Sequence, residues 1–126
     1  MENKRIVLFH NQYRQIIYKP HSNTLILHWY GNVPESEQMS HIDYMQELIK
    51  IYDVDHIEVH TKKAKFASLK PTRLFIENVL KKVYEQGGKT FTLIQKPIRN
   101  QIFVINAYLN ALKALGINMR FKMIAV

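Results

Sequence analysis

The hydrophobic pattern of this chain changes period at Pro34, and that change limits its fold more than any other feature. Before it lie three short apolar runs at residues 6–9, 15–18 and 24–30. They are separated by the polar stretch 10–14 and by a Pro-His-Ser-Asn turn at 20–23. Runs so short and closely spaced predict an antiparallel meander, with Gly31 and Asn32 closing the third strand. After Pro34, apolar residues recur every three or four positions at Met39, Ile42, Met45, Ile49 and Tyr52. That spacing predicts an amphipathic helix, with Pro34 in its first turn, where a missing N–H costs nothing. Residues 56–60 then alternate strictly, as a strand does.

The alternation continues to the end of the chain. Phe75, Val79, Leu80 and Val83 predict a second helix over residues 71–85, with Lys81 and Lys82 near its C-terminus and Gly87 and Gly88 as its stop. Residues 90–94 read as a strand. Residues 101–115 read as a third helix, with Ile102, Ile105, Leu109 and Leu112 facing inward and Gly116 after it. Residues 119–125 alternate again. The expected order is therefore β-β-β-α-β-α-β-α-β, an α/β fold in one domain over residues 1–126. It has a mixed sheet of about six strands and three main helices. Right-handed crossovers make the later strands parallel. Strands buried on both faces read as continuous apolar runs. Here His56, Glu58 and His60 share a face, as do Thr90 and Thr92, and Arg120 and Lys122, so one face of the sheet is expected to be lightly covered.

Composition narrows the chemistry. There is no cysteine, which removes disulfides, thiolate metal sites and a cysteine nucleophile. Only four apolar residues, 6–9, follow the polar start, against about 7–15 for a secretory h-region and about 20 for a spanning helix. A cytoplasmic location and no membrane association are expected. The formal net charge is +8, from 18 Lys and Arg against 10 Asp and Glu, a balance that favours anionic partners.

In open α/β sheets ligands sit at the carboxyl edge of the parallel strands. The segments following the fourth and fifth strands, residues 61–73 and 95–100, meet at that edge in the expected topology. They carry Lys62, Lys63, Lys65, Lys70, Arg73, Lys96 and Arg99, and each leads into a helix N-terminus. Ser68 sits at the start of the second helix as an N-cap, where phosphorylation would add about two negative charges. The predicted binding residues are those seven cations and Ser68.

No catalytic residues, cofactor or metal are predicted. Glycine-rich phosphate loops, nucleophile elbows and zinc-protease motifs are absent from the sequence. His56, Glu58 and His60 supply ligand chemistry, but strand positions two apart are separated by about 6.5–7 Å. Trp29, Tyr18 and Tyr30 are available as stacking groups for nucleic acid, yet their strands are apolar and core packing accounts for them.

The arrangement resembles the STAS domain family of anti-sigma-factor antagonists, including its SpoIIAA-like members, over nearly the whole chain. In that family the strand before the second helix leads into an Asp-Ser pair whose serine is phosphorylated by a partner kinase. Phe66 looks like the apolar residue before the pair and Ser68 like the serine. Ala67 stands where the aspartate is expected, and His60 where an acidic residue commonly ends the strand. The resemblance implies a non-enzymatic regulatory or protein-interaction domain working through residues 63–73 and 96–99. The alternatives are a nucleic-acid-binding module on the same edge, or a small-ligand-binding carrier. A protein partner or an anionic ligand is expected, with a homodimer as a further state for the polar sheet face.

Overall fold

Six strands form one sheet in strictly sequential order in the computed structural model, which describes residues 4–68, 70–99 and 101–126. Met1–Asn3, Leu69 and Asn100, the last two within the segments expected at the carboxyl edge, lie outside the described residues. Strands β1 (Ile6–His10), β2 (Arg14–Lys19) and β3 (Thr24–Val33) make the antiparallel meander. Strands β4 (His56–Phe66), β5 (Thr90–Gln95) and β6 (Arg120–Ala125) add to β3 in parallel. The mixed six-stranded architecture read from the sequence is thus the observed one.

All three helices lie on one face. Helix α1 (Glu35–Ile51) follows β3, with Pro34 capping it in extended backbone. Helix α2 spans residues 70–85 and is interrupted by a π turn: Lys70–Phe75 is α-helical, Ile76–Leu80 is π and Lys81–Glu85 is α again. Helix α3 (Gln101–Ala114) precedes β6. Gly87 and Gly116 follow α2 and α3 with φ of 99° and 69°, the left-handed geometry that ends a helix without a Cβ clash. The core fills the space between helices and sheet. Ile16, Leu25 and Ile57 are completely buried from the sheet side, and Met45, Val79 and Leu80 from the helix side.

Three expectations about these elements change. The inner face of α1 is Gln38, His41, Ile42, Met45, Leu48 and Ile49, not a stripe through Met39, which is 37% exposed. In α3, Ile102 and Leu109 face outward and only Leu112 of the expected stripe is fully buried. Asn106, Asn110 and Lys113 share the outer side of that helix with Ile102 and Leu109 beside them, and the opposite side, with Val104, Tyr108 and Leu112, turns inward. Third, residues 61–66 extend β4 rather than forming a loop, and β3 continues through Gly31 and Asn32 to meet them. Turn-favouring and charged residues are held in the ladder because a paired neighbour decides strand structure more than local propensity does.

The other face of the sheet carries no helix. His56, Glu58 and His60 stand there half-exposed, as expected, beside His28, Thr92 and Lys122.

Candidate functional site

Where β3, β4 and β5 end, the three helices do not close onto the sheet, and a cavity of about 850 Å³ remains between them. Its walls follow from local structure. A bulge sets Trp29 of β3 opposite two residues of β4, because His28 pairs with His60 but Tyr30 pairs with Lys63. The extra residue changes the parity of the strand. Thr61 lines the cavity before the bulge, and Ala64 and Phe66 line it after; without the bulge Lys63 would follow Thr61 onto that side. The π turn of α2 presents both Ile76 and Glu77 to the cavity. A π turn widens the helix locally and is frequent at functional sites. From α3, Tyr108 leans inward and stacks on Phe121 of β6, with ring centroids 5.2 Å apart.

Two polar residues of α1 are buried in the wall. Gln38 is 6% exposed and His41 is 3% exposed. The His41 ring meets the edge of Trp29 at 4.7 Å and stacks on Phe75 at 6.0 Å. Among the described residues neither ring nitrogen of His41 has a hydrogen-bond partner, nor does the Oε1 of Gln38 or the Nε2 of Gln95. Burial, with a smaller contribution from the Arg14 guanidinium, lowers the His41 pKa to about 3, so the ring is neutral near pH 7. Burial alone pushes the Tyr108 hydroxyl up to about 12.

Below His41, Arg14 is fixed on β2. Its guanidinium donates to Glu37 Oε1 at 2.8 Å and to the Glu37 carbonyl at 2.9 Å, and it lies 4.3 Å over the Phe9 ring. This pair joins the meander to the first turn of α1 and so orients Gln38 and His41.

Of the binding residues expected from sequence, Lys65, Arg73 and Lys96 come together around this cavity. Arg73 donates to Glu77 at 3.0 Å; Lys65 and Lys96 have no carboxylate partner among the described residues. Lys62 and Lys63 are exposed on the extended β4, and Lys70 and Arg99 are exposed at the start of α2 and after β5; none of these four lines the cavity. Ser68 is half-buried, and its Oγ accepts the Lys70 amide at 3.2 Å, the geometry of an N-cap. The seven cations therefore surround the carboxyl edge without forming one cluster.

Gln38, His41, Gln95 and Tyr108 were not foreseen. A signal existed for the first two, because stepping back along the inner stripe of α1 from Met45 reaches His41 and then Gln38, two polar residues on a face that should be apolar. Trp29 and Tyr18, each 6% exposed, belong to the core and offer no exposed stacking surface.

Beside the cavity, on the outward side of α3, Ile102 and Phe103 are 70% and 73% exposed, and Ile98 before the helix is 41% exposed. On the open sheet face the His28 and His60 rings lie 4.3 Å apart, and His60 approaches Glu58 at 4.0 Å. The nearby His60 imidazole is the main reason the Glu58 pKa is lowered, while burial and then His60 lower that of His28. Among the described residues no three His, Asp or Glu side chains are grouped to hold a metal ion. No helix is long and apolar enough to cross a membrane.

No family model matches the chain, and no curated protein matches it. Among solved structures it is similar to the anti-sigma factor antagonist SpoIIAA in its unphosphorylated form. The identity is 10%, over 98% of this chain and 90% of that one, with a TM-score of 0.59. It is also similar to apo-SiaC from Pseudomonas aeruginosa at 13% identity, over 97% of this chain and 99% of that one, with a TM-score of 0.48. The likeness to SpoIIAA shows a SpoIIAA-like fold.

Proposed function

We propose that this chain is a non-enzymatic regulatory domain that binds a protein partner through the carboxyl edge of its sheet. The observation that carries this reading is the exposed apolar group Ile98, Ile102 and Phe103, which flanks Lys96 and Arg99. Large apolar side chains exposed together and rimmed by charge are characteristic of interaction surfaces. The lysines on the extended β4 enlarge the positive rim and favour an acidic partner surface. One solved structure with this fold is that of an anti-sigma factor antagonist, a protein that acts on another protein. Ser68 is the candidate position for control by phosphorylation, since a phosphate there would reverse the sign of charge beside Lys70.

The test is crosslinking capture with three proteins: the unaltered chain, Lys63→Ala/Lys65→Ala/Arg99→Ala, and Phe103→Asp. Phe103 is too exposed for its loss to unfold the domain. The reading expects the same captured species to weaken with both variants, and unchanged capture by both overturns it.

Nucleic-acid binding is the second reading, favoured by the net charge of +8. It requires affinity that falls steeply with salt, and a flat response in mobility-shift assays at low salt removes it.

A further inference from the structure

We propose that the cavity between the sheet and the three helices is a binding pocket for a small amphipathic anion. Such a ligand has an apolar body, a carboxylate or phosphate head at the rim and a hydrogen-bonding group at its buried end. This goes beyond the partner reading: the two share Lys65 and Lys96 at the rim, but the aromatic lining and the buried Gln38 and His41 belong to the pocket alone.

Size is the first argument. Protein interiors are close-packed, with few voids larger than a water molecule, whereas this space is about 850 Å³ and lies within the range of about 300–1,000 Å³ found for ligand pockets. Its shape is built in rather than left over. The β4 bulge brings Ala64 and Phe66 to the cavity side, and the π turn adds Ile76.

The lining supplies the second argument. Trp29, Phe66, Phe75, Phe91, Leu93 and Tyr108 make a wall suited to an acyl chain or flat hydrocarbon body. Within that wall, Gln38 and His41 are more than nine-tenths buried, and among the described residues the Gln38 Oε1 and both His41 ring nitrogens lack partners. Buried polar groups in folded proteins are nearly always hydrogen-bonded. A neutral imidazole offers one donor and one acceptor, and the Gln38 Oε1 needs a donor. A hydroxyl on the buried end of a ligand both donates and accepts, and so meets these requirements once the Gln38 and His41 side chains turn toward it the polar atoms that this structure keeps closed off from the cavity.

The rim is the third. Lys96 lines the cavity, and Lys65, on the opposite side of β4 from Ala64 and Phe66, borders it; both are exposed and have no carboxylate partner among the described residues. The one acidic side chain at the rim, Glu77, is held by Arg73 at 3.0 Å. The charge facing an entering ligand is therefore positive.

Trp29, the only tryptophan in the chain, reports occupancy from the cavity wall. The chain is titrated with dodecanoate, 12-hydroxydodecanoate, dodecyl phosphate, dodecanol and dodecyltrimethylammonium, following Trp29 emission and the thermal midpoint. The expected result is a saturable change with both anions, a rise in midpoint by mass action, and affinity for dodecanol and the cation weaker by about tenfold or more. The hydroxylated acid should bind more tightly than dodecanoate, and Gln38→Leu should remove that preference. Lys65→Ala/Lys96→Ala should weaken the anions by about tenfold and leave dodecanol unchanged. A preference between dodecanoate and dodecyl phosphate identifies the head group. Absence of saturable binding by every compound overturns the pocket, and equal affinity for anion and cation overturns the anion assignment. Neither result depends on partner capture, so the two proposals fail separately.

Discussion

Replacing His41 with leucine should remove a pH dependence from the stability of the fold. The imidazole is neutral in the folded state because burial, and then Arg14, lowers its pKa to about 3 from the ordinary 6.5. In the unfolded chain it titrates near 6.5. Between those values the unfolded state carries a proton that the folded state excludes. Stability is therefore fully present above pH 6.5 and falls as pH drops through that window, by up to about 1.4 kcal/mol per unit. Between pH 7 and pH 5 this one group accounts for about 2 kcal/mol. The assay is urea unfolding of both proteins at pH 7, 6 and 5, comparing the slope of stability against pH. Other histidines and carboxylates contribute to both proteins and cancel in the difference. The unaltered chain should lose about 2 kcal/mol more than His41→Leu over those two units. At pH 7 the leucine variant should be nearly neutral, because both ring nitrogens lack partners and their removal leaves nothing unsatisfied. Parallel slopes would show that the folded chain admits a proton at His41, and would refute its burial as a neutral ring.

Three further substitutions test the frame around the cavity. Glu37→Ala leaves the Arg14 guanidinium buried with only the main-chain carbonyl to receive it, and should cost roughly 3 kcal/mol in urea unfolding; a loss below about 1 kcal/mol would mean that water reaches Arg14. Gly88→Ala places a Cβ 2.4 Å from Val83 Cγ1 and 2.7 Å from the Val83 carbonyl oxygen, so a loss of about 1–3 kcal/mol is expected in thermal or chemical unfolding. Ser68→Ala removes the acceptor for the Lys70 amide and should cost about 1 kcal/mol, while Ser68→Asp should retain most of that stability; equal losses in the two variants would argue against the cap.

The fold was legible because it depends on which residues alternate and which recur every third or fourth position, and tertiary packing selected the same elements. The strand at 56–60 and the helix around Met45 carry that signal cleanly. It failed where two neighbours override one segment. Residues 61–66 contain three lysines and look like solvated loop, yet β3 offers them a paired edge, and Gly31 joins that ladder despite its φ of 70°. It was misread in α3, where the row Asn106, Asn110 and Lys113 marks the outer side and the exposed Ile102, Phe103 and Leu109 flank it, while Leu112 is buried.

The candidate site was legible as charge and not as shape. The lysines and arginines of the carboxyl edge announce themselves in any reading of the sequence, and three of them, Lys65, Arg73 and Lys96, border the cavity while four do not. The cavity they border depends on relations that no single segment contains. One is a bulge that exists only because β3 and β4 differ by a residue between His28 and Tyr30. Another is the π turn of α2, which leaves no mark in the spacing of Val79, Leu80 and Val83. The polar residues inside the cavity lie between these two cases. Gln38 and His41 break the apolar stripe of α1 three residues apart, a local conflict between pattern and burial. Such conflicts are expected where function competes with packing. A buried histidine with no protein partner is costly to keep in a core that needs only packing, and a ligand at that point would resolve the cost. The cation-rimmed edge and the unsatisfied interior are therefore best read as two ends of one pocket.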